Sequence, residues 1–143
     1  MYKYLPMKIV LLICSSMTCV ADTIIWKGDV DALGTPTPMV KLVLGKKYQI
    51  KVSGTLSLGN WFKNGSKVKN DACYEFNESS QPHLVSCFKN SLSQTVCDGK
   101  FHANHIYTSN QFIAAQSAVH FWIYDTNYED NSGSLSVELY QIE

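Results

Sequence analysis

Four oxygen-bearing side chains, Asp125, Asn127, Asp130 and Asn131, fall within seven consecutive positions of this chain. Oxygens at that density suit a hard cation. Calcium takes roughly six to eight oxygen ligands at about 2.3–2.6 Å, drawn from carboxylates, amides and main-chain carbonyls. Asp125 and the Asp130–Asn131 pair offer such atoms from the two ends of one short loop, and Asn127 adds a side-chain or main-chain oxygen between them. The same residue types also build plain turns, because Asn, Asp, Ser and Gly tolerate left-handed backbone or bond to it. The loop lacks the Asp-x-Asp-x-Asp-Gly spacing and the distal Glu of an EF-hand.

Two strands are needed to hold such a loop. The apolar run from Val119 to Tyr124 reads as a buried strand entering it. From Ser134 to Tyr140 the chain alternates, with Leu135, Val137 and Leu139 on one face, the pattern of a half-buried strand. Upstream, Tyr48, Ile50 and Val52 alternate with Gln49 and Lys51, and Met39 to Leu44 forms a second apolar run before Gly45-Lys46. Shorter runs stand at Ile24 to Trp26, Ala72 to Phe76, Leu84 to Phe88, Ile106-Tyr107 and Phe112 to Ala115. No window carries ten residues of helical period. Short strands with Gly, Pro and Asn between them predict an all-β chain, a small β-sandwich or jelly roll. Trp26 and Trp122 read as core residues. Trp61, in a polar segment, is either a loop anchor or a ring on which a sugar can stack.

The first 21 residues read as a secretory signal, with Lys3 and Lys8 in front, a short apolar centre from Ile9 to Cys14, and Ala21 at the cleavage position. That apolar run is too short for a bilayer span of about 20 residues. The expected mature domain is residues 22–143, secreted or periplasmic, without membrane insertion. It carries 10 lysines, no arginine and 12 acids, a net charge of −2. Arginine is the preferred residue for bidentate phosphate and base contacts, so a slightly acidic chain without it argues against a nucleic-acid partner.

Cys73, Cys87 and Cys97 remain in the mature domain. An oxidising compartment favours one disulfide. The runs bearing Cys73 and Cys87 could form a hairpin, and Cys87 with Cys97 would close a shorter loop; the spacing leaves the pairing open. The odd thiol is either buried, or free and reactive beside His102, His105 or His120. His102 and His105 could also ligate a metal, although no further ligand pattern surrounds them. The chain has no Gly-x-Ser-x-Gly, no His-Glu-x-x-His and no convincing pair of catalytic carboxylates. A catalytic role is therefore not expected. Asn64-Gly65-Ser66 and Asn77-Glu78-Ser79 fit the glycosylation sequon.

Trp26-Lys27-Gly28-Asp29-Val30-Asp31-Ala32 resembles the Trp-Lys-Gly-acid-Val-x-Ala opening of the PA-I-type galactose-binding bacterial lectins. The stretch from Ile123 to Val137 resembles the same family's Ile-Tyr-Asn-Asp…Tyr-x-Asn-Asn-Ser-Gly-Ser-x-Ser-Val, and Ser57-Leu58-Gly59 is similar to its Ser-Tyr-Gly loop. The resemblance implies a small galactose-binding-domain-like jelly roll and a bound calcium that holds two hydroxyls of a galactoside. It implies calcium ligands at Leu58 (main-chain carbonyl), Asp125 (bidentate carboxylate), Asn127 (main-chain carbonyl), Asp130 and Asn131, with Asp125, Asp130 and Asn131 also meeting the sugar. Asp130 stands where the family has Asn. Gln81-Pro82-His83 has the residue types of the family's second sugar loop, although it also reads as an exposed hairpin turn. The family's habit of self-association implies a homo-oligomer. The competing expectation is a structural or adhesive module of the same fold, with a calcium-stabilised loop and no sugar binding.

Overall fold

A computed structural model of the protein describes residues 22–59, 62–63, 66–78 and 80–143. The expected signal at residues 1–21, Trp61, and parts of both sequons lie outside them.

Alternation at Leu135, Val137 and Leu139 produces the strand on which the fold is built. Among the described residues there are fifteen strands and no helix. In chain order they are β1 (Thr23–Asp31), β2 (Val40–Lys41), β3 (Lys47–Ser53), β4 (Leu56–Leu58), β5 (Phe62–Lys63), β6 (Ser66–Lys67), β7 (Lys69–Asn70) and β8 (Tyr74–Asn77). There follow β9 (Ser80–Leu84), β10 (Phe88–Asn90), β11 (Ile106–Thr108), β12 (Phe112–Ile113), β13 (Ala118–Val119), β14 (Phe121–Ile123) and β15 (Asn131–Ile142). Every pairing among them is antiparallel.

β15 is paired on both sides. β1 lies along it from Asp31 opposite Ser134 to Thr23 opposite Gln141. On the other side β3 runs from Lys47 opposite Ile142 to Ser53 opposite Ser136. β4 continues in the same register, from Leu56 opposite Gly133 to Leu58 opposite Asn131. β3 and β4 are thus one ribbon interrupted at Gly54-Thr55. The sheet turns there: Gly54 and Gly133 both hold positive φ, 100° and 87°, a conformation glycine adopts without Cβ penalty. Beyond β4 the sheet continues through β7, β8 and β9, while β11 and β12 line the outer edge of β3. This is the expected all-β architecture, a small jelly-roll β-sandwich.

The core follows the alternation. Tyr48, Ile50 and Val52 of β3, Leu135, Val137 and Leu139 of β15, Phe121 and Ile123 of β14, and Val30 of β1 are fully buried. Truncating one such side chain to alanine costs about 2–5 kcal/mol. Several expectations need correction. β1 is nine residues long, because Lys27, Asp29 and Asp31 face outward while the backbone stays paired to β15. Of Met39 to Leu44 only Val40–Lys41 is a strand; Val43 and Leu44 stand exposed in a turn closed by Lys46 N–H donating to Val43 O at 3.2 Å. Trp26 and Trp122 are half-buried rather than core, Trp26 stacking on Phe121 at 5.3 Å. The expected hairpin between the cysteine-bearing runs forms as β8 and β9, with Tyr74 opposite Leu84, which leaves Cys87 beyond the strand. Gln81-Pro82-His83 lies on β9 itself, a sheet edge, where proline's missing N–H costs no ladder bond.

Cys73 is bonded to Cys97, and Cys87 is free and buried. Neither pairing through Cys87 forms.

Candidate functional site

The Asp125–Asn131 loop is held by one tyrosine. The Tyr128 hydroxyl donates to Ile123 O at 3.3 Å and accepts from Asp125 N–H at 3.0 Å, so its ring closes the loop onto the end of β14. The ring also covers Gly34, where a Cβ would overlap it, and Gly34 holds φ at 80°. Sequence reasoning assigns Tyr128 no role; its signals there are an aromatic residue amid six polar neighbours and the tyrosine of the Tyr-x-Asn-Asn motif that the stretch resembles.

Around that clamp each expected ligand has a definite setting. Asp125 is half-buried, and its Oδ1 accepts from Thr126 N–H at 2.7 Å. It lines a cavity of about 180 Å³ together with Leu58, Asn70, Glu75 and Tyr124. Asp130 sets its carboxylate directly over Gly59, which follows Leu58; any Cβ at Gly59 would overlap it. Asn131 pairs with Leu58 across β15 and β4. Leu58, Asp125, Asp130 and Asn131 are therefore gathered around the end of one strand pair. Asn127 is exposed, and its Oδ1 closes a turn by accepting from Glu129 N–H at 3.1 Å, which leaves its main-chain carbonyl as the oxygen it could offer.

Asn131 is the informative member. It is 8% exposed, its Nδ2 donates to Ala32 O at 2.9 Å, and its Oδ1 is buried with no hydrogen-bond partner among the described residues. A buried acceptor left unmade costs roughly 1–3 kcal/mol. Cation ligation would satisfy it. Among the described residues no three His, Cys, Asp or Glu side chains converge as a metal site. Of the expected ligands around Leu58, Asp125 and Asp130 bring carboxylates, so a cation there depends on amide and carbonyl oxygens as well. That donor set is oxygen-only, the hard-cation class.

His102, His105 and the free thiol each have a partner elsewhere in the fold. His102 Nε2 meets Asp98 Oδ2 at 2.8 Å, and His105 Nδ1 meets Asp71 Oδ2 at 3.0 Å. Asp98 is held below the usual carboxylate range, chiefly by Lys100 N–H and then by His102. Asp71, which no motif in the sequence marks, is fully buried. Its Oδ1 accepts from Cys73 N–H and Tyr74 N–H at 2.9 and 2.7 Å, and its Oδ2 also accepts from the Tyr107 hydroxyl at 3.0 Å. Burial, and then proximity to Asp71, pushes the Cys87 thiol up to about 12. Cys87 is buried, with its Sγ–H donating to Asp71 O at 3.1 Å, so the odd thiol is the buried one of the two expected alternatives.

No family model matches this chain, and no curated protein matches it. Among solved structures, one described as the EclA N-terminal domain, a PllA-like lectin, is similar at a TM-score of 0.53 and 23% identity, covering 83% of this chain and 98% of that chain. The likeness establishes a lectin-like fold. It does not extend to the narrower calcium-dependent, galactose-binding PA-I-type family.

Proposed function

We propose that this protein is a non-enzymatic carbohydrate-binding protein, secreted or periplasmic, whose sugar site is the Asp125–Asn131 loop with a calcium ion. The observation that carries the reading is the buried Oδ1 of Asn131, unpartnered among the described residues, on the residue that faces Leu58 in register. The lectin-like fold and the disulfide, which suits an oxidising compartment, support it. Asp125, Asp130 and Asn131 would hold the ion through side-chain oxygens, and Leu58 and Asn127 through main-chain carbonyls. Bound there, calcium would supply Lewis acidity toward sugar hydroxyls. Asp125 and Asp130 would accept hydrogen bonds from those hydroxyls, and Asn131 anchors the loop end to Ala32 through Nδ2. Galactosides are the first class to screen. Self-association would turn weak single-site binding into useful avidity.

Thermal unfolding in calcium and in chelator tests this. A ligand binding only the native state at a hundredfold excess over its dissociation constant stabilises it by about 2.7 kcal/mol. The expected result is a calcium-dependent rise in midpoint that is absent in Asp125→Ala, with retention on a galactoside matrix that is lost on chelation. No shift at millimolar calcium overturns the metal site. A shift without retention on any glycan matrix leaves a structural module with a calcium-stabilised loop. The Asx turn at Asn127, the bond from Thr126 N–H to Asp125 and the Tyr128 clamp, which close the loop by themselves, favour that second reading.

A further inference from the structure

A cavity of about 650 Å³ opens between the β8–β9 hairpin and the loop before β11, and it shares no residue with the Asp125 loop or with the smaller cavity beside it. Its volume lies within the range of small-molecule sites, roughly 300–1,000 Å³. Phe76, Pro82 and Phe101 give it apolar walls, and His105 lines it as well. The His105 ring is fixed from three directions. It stacks on Phe76 at 4.6 Å with 14° between planes, meets Phe101 at 5.7 Å nearly edge-on, and binds Asp71 through Nδ1. Asp71 accepts four hydrogen bonds and is itself fully buried. His105 also holds φ at 55°, a left-handed conformation uncommon outside glycine. Backbone of that kind persists where surrounding contacts over-determine it, and it clusters at ligand sites.

What this leaves is Nε2 of a rigid imidazole, without a protein partner among the described residues, on a residue whose side chain is 23% exposed. The rim carries Lys69 and Glu78, one charge of each sign. Their fields oppose each other, so neither a strongly anionic nor a strongly cationic ligand is favoured. Aromatic walls take the apolar face of a ring, and a fixed imidazole nitrogen takes or gives a hydrogen bond at its edge. A neutral pyranoside has both features, with C–H groups on one face and hydroxyls around the rim.

We infer that this cleft is a second, metal-independent saccharide site, in which Phe76 and Phe101 cover the C–H face of a neutral pyranoside and His105 Nε2 exchanges a hydrogen bond with one of its hydroxyls. Asp71 is a positioning residue that reaches the sugar only through His105. The site owes nothing to the Asp125 loop, so its failure and that of the calcium reading are separable.

Amide correlation spectra of the protein in chelator, titrated with the methyl pyranosides of galactose, glucose and mannose, test it. Perturbations are expected at Phe76, Phe101 and His105 for at least one of the three, with millimolar affinity, and unchanged in Asp125→Ala. Phe101→Ala, in a loop where Phe101 is already 37% exposed, should weaken that binding about tenfold or more. Phe101→Leu, which keeps an apolar side chain without a ring, carries the same test should the alanine variant fail to fold. His105→Asn, which suits left-handed backbone, should weaken it several-fold. No perturbation by any of the three sugars, perturbation confined to the Asp125 loop, a requirement for calcium, or binding of phenol alone would each overturn the proposal.

Discussion

The Asp125 loop and the Asp71–His105 cleft both gather oxygen and nitrogen atoms, but they satisfy them differently. In the cleft every oxygen of the Asp71 carboxylate is used within the protein: two backbone N–H groups, a tyrosine hydroxyl and an imidazole fill it. In the loop the Asn131 amide is satisfied on one side only. A carboxylate with its acceptor capacity filled is a structural device; it rigidifies whatever it holds, here His105. An acceptor left without a partner in a buried position is a reason for something else to bind. Density of acidic residues is therefore a poorer guide to a ligand site than the count of what each atom lacks.

The largest effect that would sharpen this contrast comes from removing the filled carboxylate. Asp71→Ala strands two backbone donors, the Tyr107 hydroxyl and the His105 ring, three of them in the interior. Each stranded buried donor costs roughly 1–3 kcal/mol, so the variant should lose at least about 3 kcal/mol in urea unfolding, with calcium making no difference to the loss. Asp125→Ala should do the opposite: little change in chelator, and loss of the whole calcium-dependent increment. If Asp71→Ala proved mild, the claim that the cleft is built on a buried network would fail.

Next in size is the disulfide, which ties the chain leading into the cleft wall at Cys73 to the segment before Phe101. It closes a loop with a sequence separation of 24. Chain-entropy reasoning gives about 3 kcal/mol for a loop of this length. Reduction should lower the unfolding midpoint accordingly and loosen the cleft before it affects the Asp125 loop, which the disulfide does not enclose. Cys87 should stay unlabelled by thiol reagents until global unfolding, since its thiol is buried and protonated.

A smaller effect probes the unmet valence itself. Asn131→Asp retains the oxygen opposite Leu58 and replaces the Ala32-bonded amide group with an anionic oxygen. In chelator this variant should be less stable than the parent by about 1–3 kcal/mol, the cost of leaving a buried polar group unpaired. Calcium should recover more stability in it than in the parent. Equal responses of the two proteins to calcium would remove Asn131 from the ligand set.

The sequence carried one of these two regions and not the other, for a physical reason. The loop's oxygen donors lie within seven consecutive positions, and the alternation of Leu135, Val137 and Leu139 and of Tyr48, Ile50 and Val52 announced the strands that position it. Local pattern was enough there. The cleft draws Lys69, Phe76 and Pro82 from one part of the chain and Phe101 and His105 from another, and Asp71 joins them across 34 residues. No spacing rule reports a juxtaposition made by tertiary packing. The extent of β1 was hidden likewise: Lys27, Asp29 and Asp31 look like loop residues until their pairing with β15 is seen. The cysteine pairing was open for the same reason, because it depends on where a hairpin sits relative to a distant loop.

The smallest expected effect is a control that any calcium measurement across pH requires, and it lies on the strand that carries Asn131. Glu138 of β15 stands between Lys27 of β1 and Lys51 of β3 in register. It accepts from the Tyr140 hydroxyl at 2.6 Å and from Lys27 Nζ at 3.0 Å, with Lys51 Nζ at 3.4 Å. Those bonds, Tyr140's foremost, bring its carboxyl down from 4.5 to about 2, and the same bond pushes the Tyr140 phenol up. A carboxylate whose folded pKa lies below its unfolded value adds stability that is complete above the unfolded value and is lost as pH falls through the folded one. Between about pH 5 and pH 2 the protein should therefore become less stable by this route, and Glu138→Gln should flatten that part of the urea-midpoint profile while leaving the calcium increment at neutral pH intact. A profile that stays as steep in the glutamine variant would transfer the acid sensitivity to other carboxylates, Asp98 beside His102 first among them.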